Sequence, residues 1–84
     1  MLGQIGDDSE GKAFLKYLEE NEIDHSGIIT QNDSCTGQAY ILSLKENADN
    51  SIVIVGGSNQ NYEQKAELNP IWKDAIAKAD ILML

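Results

Sequence analysis

Four consecutive β-branched residues, Ile52-Val53-Ile54-Val55, constrain the fold of this chain more than any other feature. Side chains alternate across a strand, so Ile52 and Ile54 take one face and Val53 and Val55 the other. A strand with one face in water alternates apolar with polar residues; this one is apolar on both. The segment Cys35 to Leu44 also runs with a period of two. Ala39, Ile41 and Ser43 point one way, and Tyr40, Leu42 and Leu44 the other. With residues 45–50 as a polar hairpin-like connection and Ser51 to Val55 as the returning strand, the two read as an antiparallel pair. Both faces of this ribbon demand cover. The rest of an 84-residue chain covers one; a ligand, a further part of the protein or another subunit must cover the other.

Size and charge narrow the rest. A chain of 84 residues makes one small domain at most, burying only about 60–65% of the surface its unfolded form exposes. Cys35 is the only cysteine, which rules out an internal disulfide and points to a reducing compartment. No apolar run approaches the roughly 20 residues that span a bilayer. Met1-Leu2 is followed at once by Gly3-Gln4, unlike a signal peptide. A soluble, cytoplasmic chain is expected. Fourteen acidic residues stand against six lysines and no arginine, for a net charge of −8. Phosphate backbones need clustered Lys and Arg, so nucleic acid and anionic membrane are not expected as partners. The arginine clamp of many phosphate and carboxylate sites is missing too.

Helical signals flank the ribbon. Asp7-Asp8-Ser9 offers N-cap side chains and Glu10 places negative charge at the positive end of the macrodipole. Ala13, Phe14, Tyr17 and Leu18 then form an apolar stripe, and the helix is expected to stop near Asn21–Glu22. Residues 27–30 read as a short strand, followed by the polar turn Gln31-Asn32-Asp33-Ser34. Residues 63–68 carry a weaker helical pattern. Asn69-Pro70 is a helix start, with Asn as cap and Pro in the first turn, and Ile71, Trp72, Ala75, Ile76 and Ala79 supply the apolar face. Residues 80–84 read as a buried strand and residues 1–5 as the tail of another, as though both ends of the chain break off inside a sheet.

Few residues carry chemistry. Asp7 and Asp8 could form a metal or acid–base pair, but adjacent carboxylates with no second cluster fit a helix-capping turn better. His25 is a lone loop histidine, and Cys35 lacks a neighbouring base or a CxxC partner. No spacing of metal ligands, catalytic triad or paired catalytic acid can be assembled, so catalytic and metal residues are expected to be none. Gly56-Gly57-Ser58-Asn59 after the second ribbon strand suits a hinge or turn, or a close backbone approach to a ligand. It lacks the lysine and hydroxyl of a phosphate loop. Thr36-Gly37 has the same two readings. Trp72 fits a core position.

Taken in order, five segments form a pattern. Gly6-Asp7-Asp8-Ser9-Glu10-Gly11 fits GDDxxG, and Glu22-Ile23-Asp24-His25-Ser26 stands where a Val-Asp-Thr/Ser turn belongs. Thr36-Gly37-Gln38-Ala39-Tyr40-Ile41 fits TGxAxI, Gly57-Ser58-Asn59 fits GAN, and residues 79–84 fit an Ala-Asp-Leu-Leu strand. No single motif is specific, but the set in register resembles the ribokinase branch of the PfkB sugar kinases along essentially the whole chain. Asn47-Ala48-Asp49-Asn50 replaces that family's usual Gly-Glu-Asn, and Ser58 replaces an alanine.

The resemblance implies an α/β fold class. The chain would be a segment of a ribokinase-like fold, with a small β lid hairpin flanked by helices and edges of a parallel sheet. Residues 1–34 would be a helix and loop of the core, 35–57 the lid, and 58–84 a helical segment and core strand. In that family the lid closes over the sugar and often pairs with a second lid. Ala39 and Ile41 would face the sugar. Thr36, Gly37, Gly56, Gly57 and Asn59 would form the hinge, and Tyr40, Leu42, Val53 and Val55 would meet a partner lid in a homodimer. The family's upstream sugar-binding aspartate, its ATP anion hole and its catalytic aspartate have no counterpart here. The implied role is a piece of an ATP- and Mg²⁺-dependent kinase of a pentose or similar small sugar, with neither cofactor bound by this segment alone. The alternative from the residues themselves is a non-catalytic β-ribbon module that dimerises or docks on another protein.

Overall fold

A computed structural model describes residues 1–46, 48–62 and 68–84. Strand β1 (Leu2–Gly6) leads through helix α1 (Ser9–Glu20) into β2 (Gly27–Gln31). β1 and β2 pair in parallel, from Leu2 opposite Gly27 to Gly6 opposite Gln31. Parallel neighbours need a crossover, and α1 supplies it, making a βαβ unit. The chain then enters β3 (Gln38–Ser43), returns along β4 (Asn50–Val55), makes a 3-10 turn (Gly57–Gln60) and ends in α2 (Pro70–Lys78).

Local chemistry accounts for the helix ends. The Asp8 side chain caps α1 by accepting from the Gly11 N–H, and Asn69 caps α2 by accepting from Ile71 N–H with Pro70 in the first turn. α1 stops at Asn21, whose amide nitrogen Nδ2 donates to Tyr17 O at 2.7 Å, and Glu22 turns the chain through a positive φ of 55°.

The core is small, with Ile5, Leu18 and Ser58 fully buried beside the buried glycines Gly6, Gly11 and Gly27. It lies where β1 meets both α1 and the 3-10 turn. The inward face of α1 differs from the expected stripe. Leu18 is buried and Leu15 half-buried, whereas Ala13, Phe14 and Tyr17 are exposed. Gly11 sets this rotation: a Cβ there would sit 2.4 Å from Gly6 O and 2.9 Å from the Thr36 hydroxyl. Positions 11, 15 and 18 then face inward at i, i+4 and i+7. On α2, Trp72, Ala75 and Ile76 are half-buried, while Ile71 and Ala79 are exposed, again a narrower face than expected.

Residues 80–84 differ more sharply from expectation. They pair with no strand among the described residues, and Ile81 and Met83 are 87% and 92% exposed. β1 and β2 pair only with each other, so no third strand lies beside them among the described residues. Apart from Leu68, the helix expected over residues 63–68 lies outside the described residues.

Candidate functional site: an apolar ribbon and its polar root

The β3–β4 register fixes which side chains share a face. Ala39 lies opposite Ile54 and Ile41 opposite Ile52; on the alternate positions Tyr40 lies opposite Val53 and Gln38 opposite Val55. Directly paired residues of an antiparallel ladder project to the same side. One face therefore carries Ala39, Ile41, Ile52 and Ile54, and the other Tyr40, Leu42, Val53 and Val55. The hairpin is closed by Leu44 N–H donating to Asp49 O at 3.0 Å, with Ala48 at a φ of 57°.

Every residue of β4 is exposed, and so is β3 beyond Gln38. Ile41 and Ile54, at 60% and 73%, show how bare the ribbon stands. The expectation that the rest of the chain covers one face is not met: both faces are open. The reason is geometric. The ribbon belongs to a two-stranded sheet separate from that of the βαβ unit, and the ties between them described below lie at its root.

The root is polar and tightly packed. Asp8 Oδ1 accepts from Gly11 N–H at 3.0 Å and from the Thr36 hydroxyl at 2.5 Å, and its Oδ2 accepts from Thr36 N–H at 2.7 Å. The Thr36 hydroxyl oxygen in turn accepts from Gly6 N–H at 3.1 Å. Bonds from the Thr36 hydroxyl, the Thr36 N–H and the Gly11 N–H hold the Asp8 carboxyl below its ordinary value of 3.8. Asp7 stands outside this network; its Oδ2 accepts from Asp33 N–H and its N–H donates to Ser34 O, both at 3.2 Å.

The returning strand is fastened at the same place. Ser58 N–H donates to Cys35 O at 2.7 Å, and Gln4 Nε2 donates to Ser58 O at 2.6 Å. Gly57 adopts a φ of +51°, and a Cβ there would fall 2.4 Å from Cys35 O. At Gly37 a Cβ would meet Asn59 Nδ2 at 2.2 Å and Gly56 O at 2.8 Å. Both glycines are thus required by close backbone approach where the ribbon enters and leaves.

Thr36, Gly37, Gly56, Gly57 and Asn59, 23 positions apart at the extremes (59 − 36), converge on this root. Ala39 and Ile41 lie along one ribbon face. The root also includes Asp8, Gly6, Gly11 and Gln4, and the Cys35 carbonyl, which sequence alone does not mark as root residues. Gly6, Asp8 and Gly11 sit in Gly6-Asp7-Asp8-Ser9-Glu10-Gly11, so the motif marks the place while hiding the tie to Thr36. His25 lies away from the root in the α1–β2 loop, with Nδ1 3.4 Å from Ile23 O. Among the described residues no group of three or more His, Cys, Asp or Glu side chains converges as a metal site.

A βαβ unit joined to an antiparallel ribbon places the chain in the α/β class. The solved ribokinase of Giardia lamblia superposes with a TM-score of 0.61 at 33% identity, covering 69% of this chain and 17% of that one. The ribokinase of Bacillus subtilis is 34% identical over 86 aligned positions, covering 100% of this chain and 27% of the relative. The 5-dehydro-2-deoxygluconokinase of Geobacillus kaustophilus is 33% identical over 84 positions, 99% of this chain and 24% of the relative. The profile of the pfkB family carbohydrate kinases matches residues 1–84. The chain belongs to this family. It spans about a quarter of the length of these two curated relatives. No described helix is long and apolar enough to cross a membrane.

Proposed function

We propose that this chain forms the sugar-covering lid and flanking core of a cytoplasmic kinase that phosphorylates a pentose or similar small sugar. The observation that carries the reading is the ribbon itself: two exposed apolar faces on one hairpin, rooted in a closely packed polar node. Contiguous apolar surface of this kind marks a binding or association site. Ala39 and Ile41 would lie over the sugar, excluding water from it, while Tyr40, Leu42, Val53 and Val55 would meet the lid of a second copy. Closure of such an element orders substrate and keeps water from the transferring group.

ATP and Mg²⁺ would supply the phosphoryl group and neutralise its charge. Among the described residues no three His, Cys, Asp or Glu converge as a metal site. The part proposed for this chain is to bind, orient and shield the sugar, and no step of the transfer is assigned to its residues. The bareness of both ribbon faces also favours a second reading, a non-catalytic ribbon that serves association alone.

The experiment is a phosphorylation assay on the intact protein with ATP, Mg²⁺ and a panel of pentoses and hexoses. ATP-dependent formation of a sugar phosphate supports the kinase reading. Absence of turnover on every sugar, together with stable self-association, would favour the second.

A further inference from the structure

We propose that Asp8 is a positioning residue for the ribbon, with one carboxylate serving at once as the cap of α1 and as the tether of the ribbon's first fixed residue, Thr36. As a mechanism of lid control this rests on the sugar-kinase reading above; as a statement about the root it does not.

The division of labour between the two carboxylate oxygens carries the argument. Capping α1 needs one oxygen, and Oδ1 meets that need at Gly11 N–H. A serine, threonine or asparagine would serve as well. The second oxygen is not part of the cap. Oδ2 accepts from Thr36 N–H at 2.7 Å, 28 residues along the chain, while Oδ1 also accepts from the Thr36 hydroxyl. An asparagine, with one acceptor oxygen, could keep the cap or the backbone tether but not both.

Thr36 completes the tether. Its hydroxyl donates to Asp8 and accepts from Gly6 N–H, so the end of β1, the start of α1 and the ribbon root meet at one oxygen. Just beyond Thr36, the entering and leaving strands approach so closely at Gly37 and Gly56 that a Cβ at Gly37 would lie 2.8 Å from Gly56 O. Thr36 is thus fixed where the entering and leaving strands approach, and Asp8 sets the position of that approach.

The test uses the intact protein with three variants and two readouts. Asp8→Asn keeps a cap and loses the double tether; Thr36→Val removes the hydroxyl at nearly constant shape; Thr36→Ser retains it. Amide hydrogen exchange at Gly6 and Thr36 reads the tether without any need for activity. Sugar KM and kcat read its consequence. Asp8→Asn is expected to speed exchange at Thr36 by about tenfold, a charge-assisted hydrogen bond being lost, and Thr36→Val to do so at Gly6, whose acceptor it removes, with the β3–β4 ladder unchanged. Sugar KM should rise about tenfold with kcat nearly constant, the pattern of lost uniform binding. Thr36→Ser should restore both. Should Asp8→Asn fail to fold, Thr36→Val leaves the cap intact and carries the same test. Wild-type exchange at Gly6 and Thr36 in the variants overturns the tether, as does a uniform rise across the whole chain. Faster local exchange with unchanged KM overturns the role in lid control. An inactive wild type would instead strike the kinase reading, and the exchange measurement would still decide the tether.

Discussion

The indole Nε1 of Trp72 donates a 2.8 Å hydrogen bond to the carbonyl of Gly27, tying the first turn of α2 to the first residue of β2 across 45 positions. Its ring also packs against Tyr62, with centroids 5.8 Å apart and planes tilted by 53°. Trp72→Phe keeps most of the apolar body and leaves the Gly27 carbonyl without this donor. The expected loss is about 1 kcal/mol of folding stability, read as a shift in the urea midpoint by circular dichroism. A midpoint equal to that of the wild type would show that the bond contributes nothing net.

Asn69 caps α2 through Ile71 N–H at 2.9 Å. Asn69→Ala should cost about 1 kcal/mol, while Asn69→Asp should cost far less because the carboxylate also caps and suits the helix dipole. Equal destabilisation by both variants would contradict the cap.

Gly57 combines a φ of +51° with a backbone oxygen 2.4 Å from where a Cβ would sit. Gly57→Ala should therefore destabilise by about 1 kcal/mol or more, from left-handed backbone and overlap together. The contrast is Gly3→Ala, where a Cβ would meet only Ile28 Cδ1 at an ordinary 3.5 Å. Comparable melting temperatures for the two variants would remove the case for a strained root.

Acid should loosen the root. Hydrogen bonds from Thr36 and Gly11 lower the Asp8 carboxyl, and those from the Ser26 N–H and hydroxyl lower Asp24. A folded-state value below the unfolded one adds stability that is present above the ordinary value of 3.8 and is lost as pH falls through the folded value. Stability should thus decline below about pH 4. The gap between wild type and Asp8→Asn should narrow over the same range, since a protonated Asp8 also loses an acceptor. A gap that stays constant down to pH 2 in denaturant titrations would exclude this linkage.

The ribbon is legible because a period of two is a local signal: Ala39 with Ile41, and Ile52 with Ile54, each sort onto one side of their own strand by counting alone, and the register puts the two pairs on one face. The cap at Asn69-Pro70 was legible for the same reason. The tie from Asp8 to Thr36 was not, because a capping aspartate looks the same in sequence whether or not its second oxygen reaches a residue 28 positions away. The inward face of α1 was misplaced because Phe14 and Tyr17 are large and apolar, while its rotation is set by a glycine that packs by having no side chain. Residues 80–84 read as a strand because composition reports apolar character, whereas a strand also requires a neighbouring backbone to pair with.

The division of the ribbon into a sugar face and a partner face is the central claim, and one paired measurement tests it directly. Sugar KM and sedimentation velocity are recorded for Ile41→Asp and Val53→Asp in the intact protein. Ile41→Asp should raise KM by about tenfold or more, since it buries a charge against the substrate, and leave the association state unchanged. Val53→Asp should dissociate the dimer. A monomeric wild type, or both variants changing both readouts alike, would contradict the assignment of separate roles to the two faces.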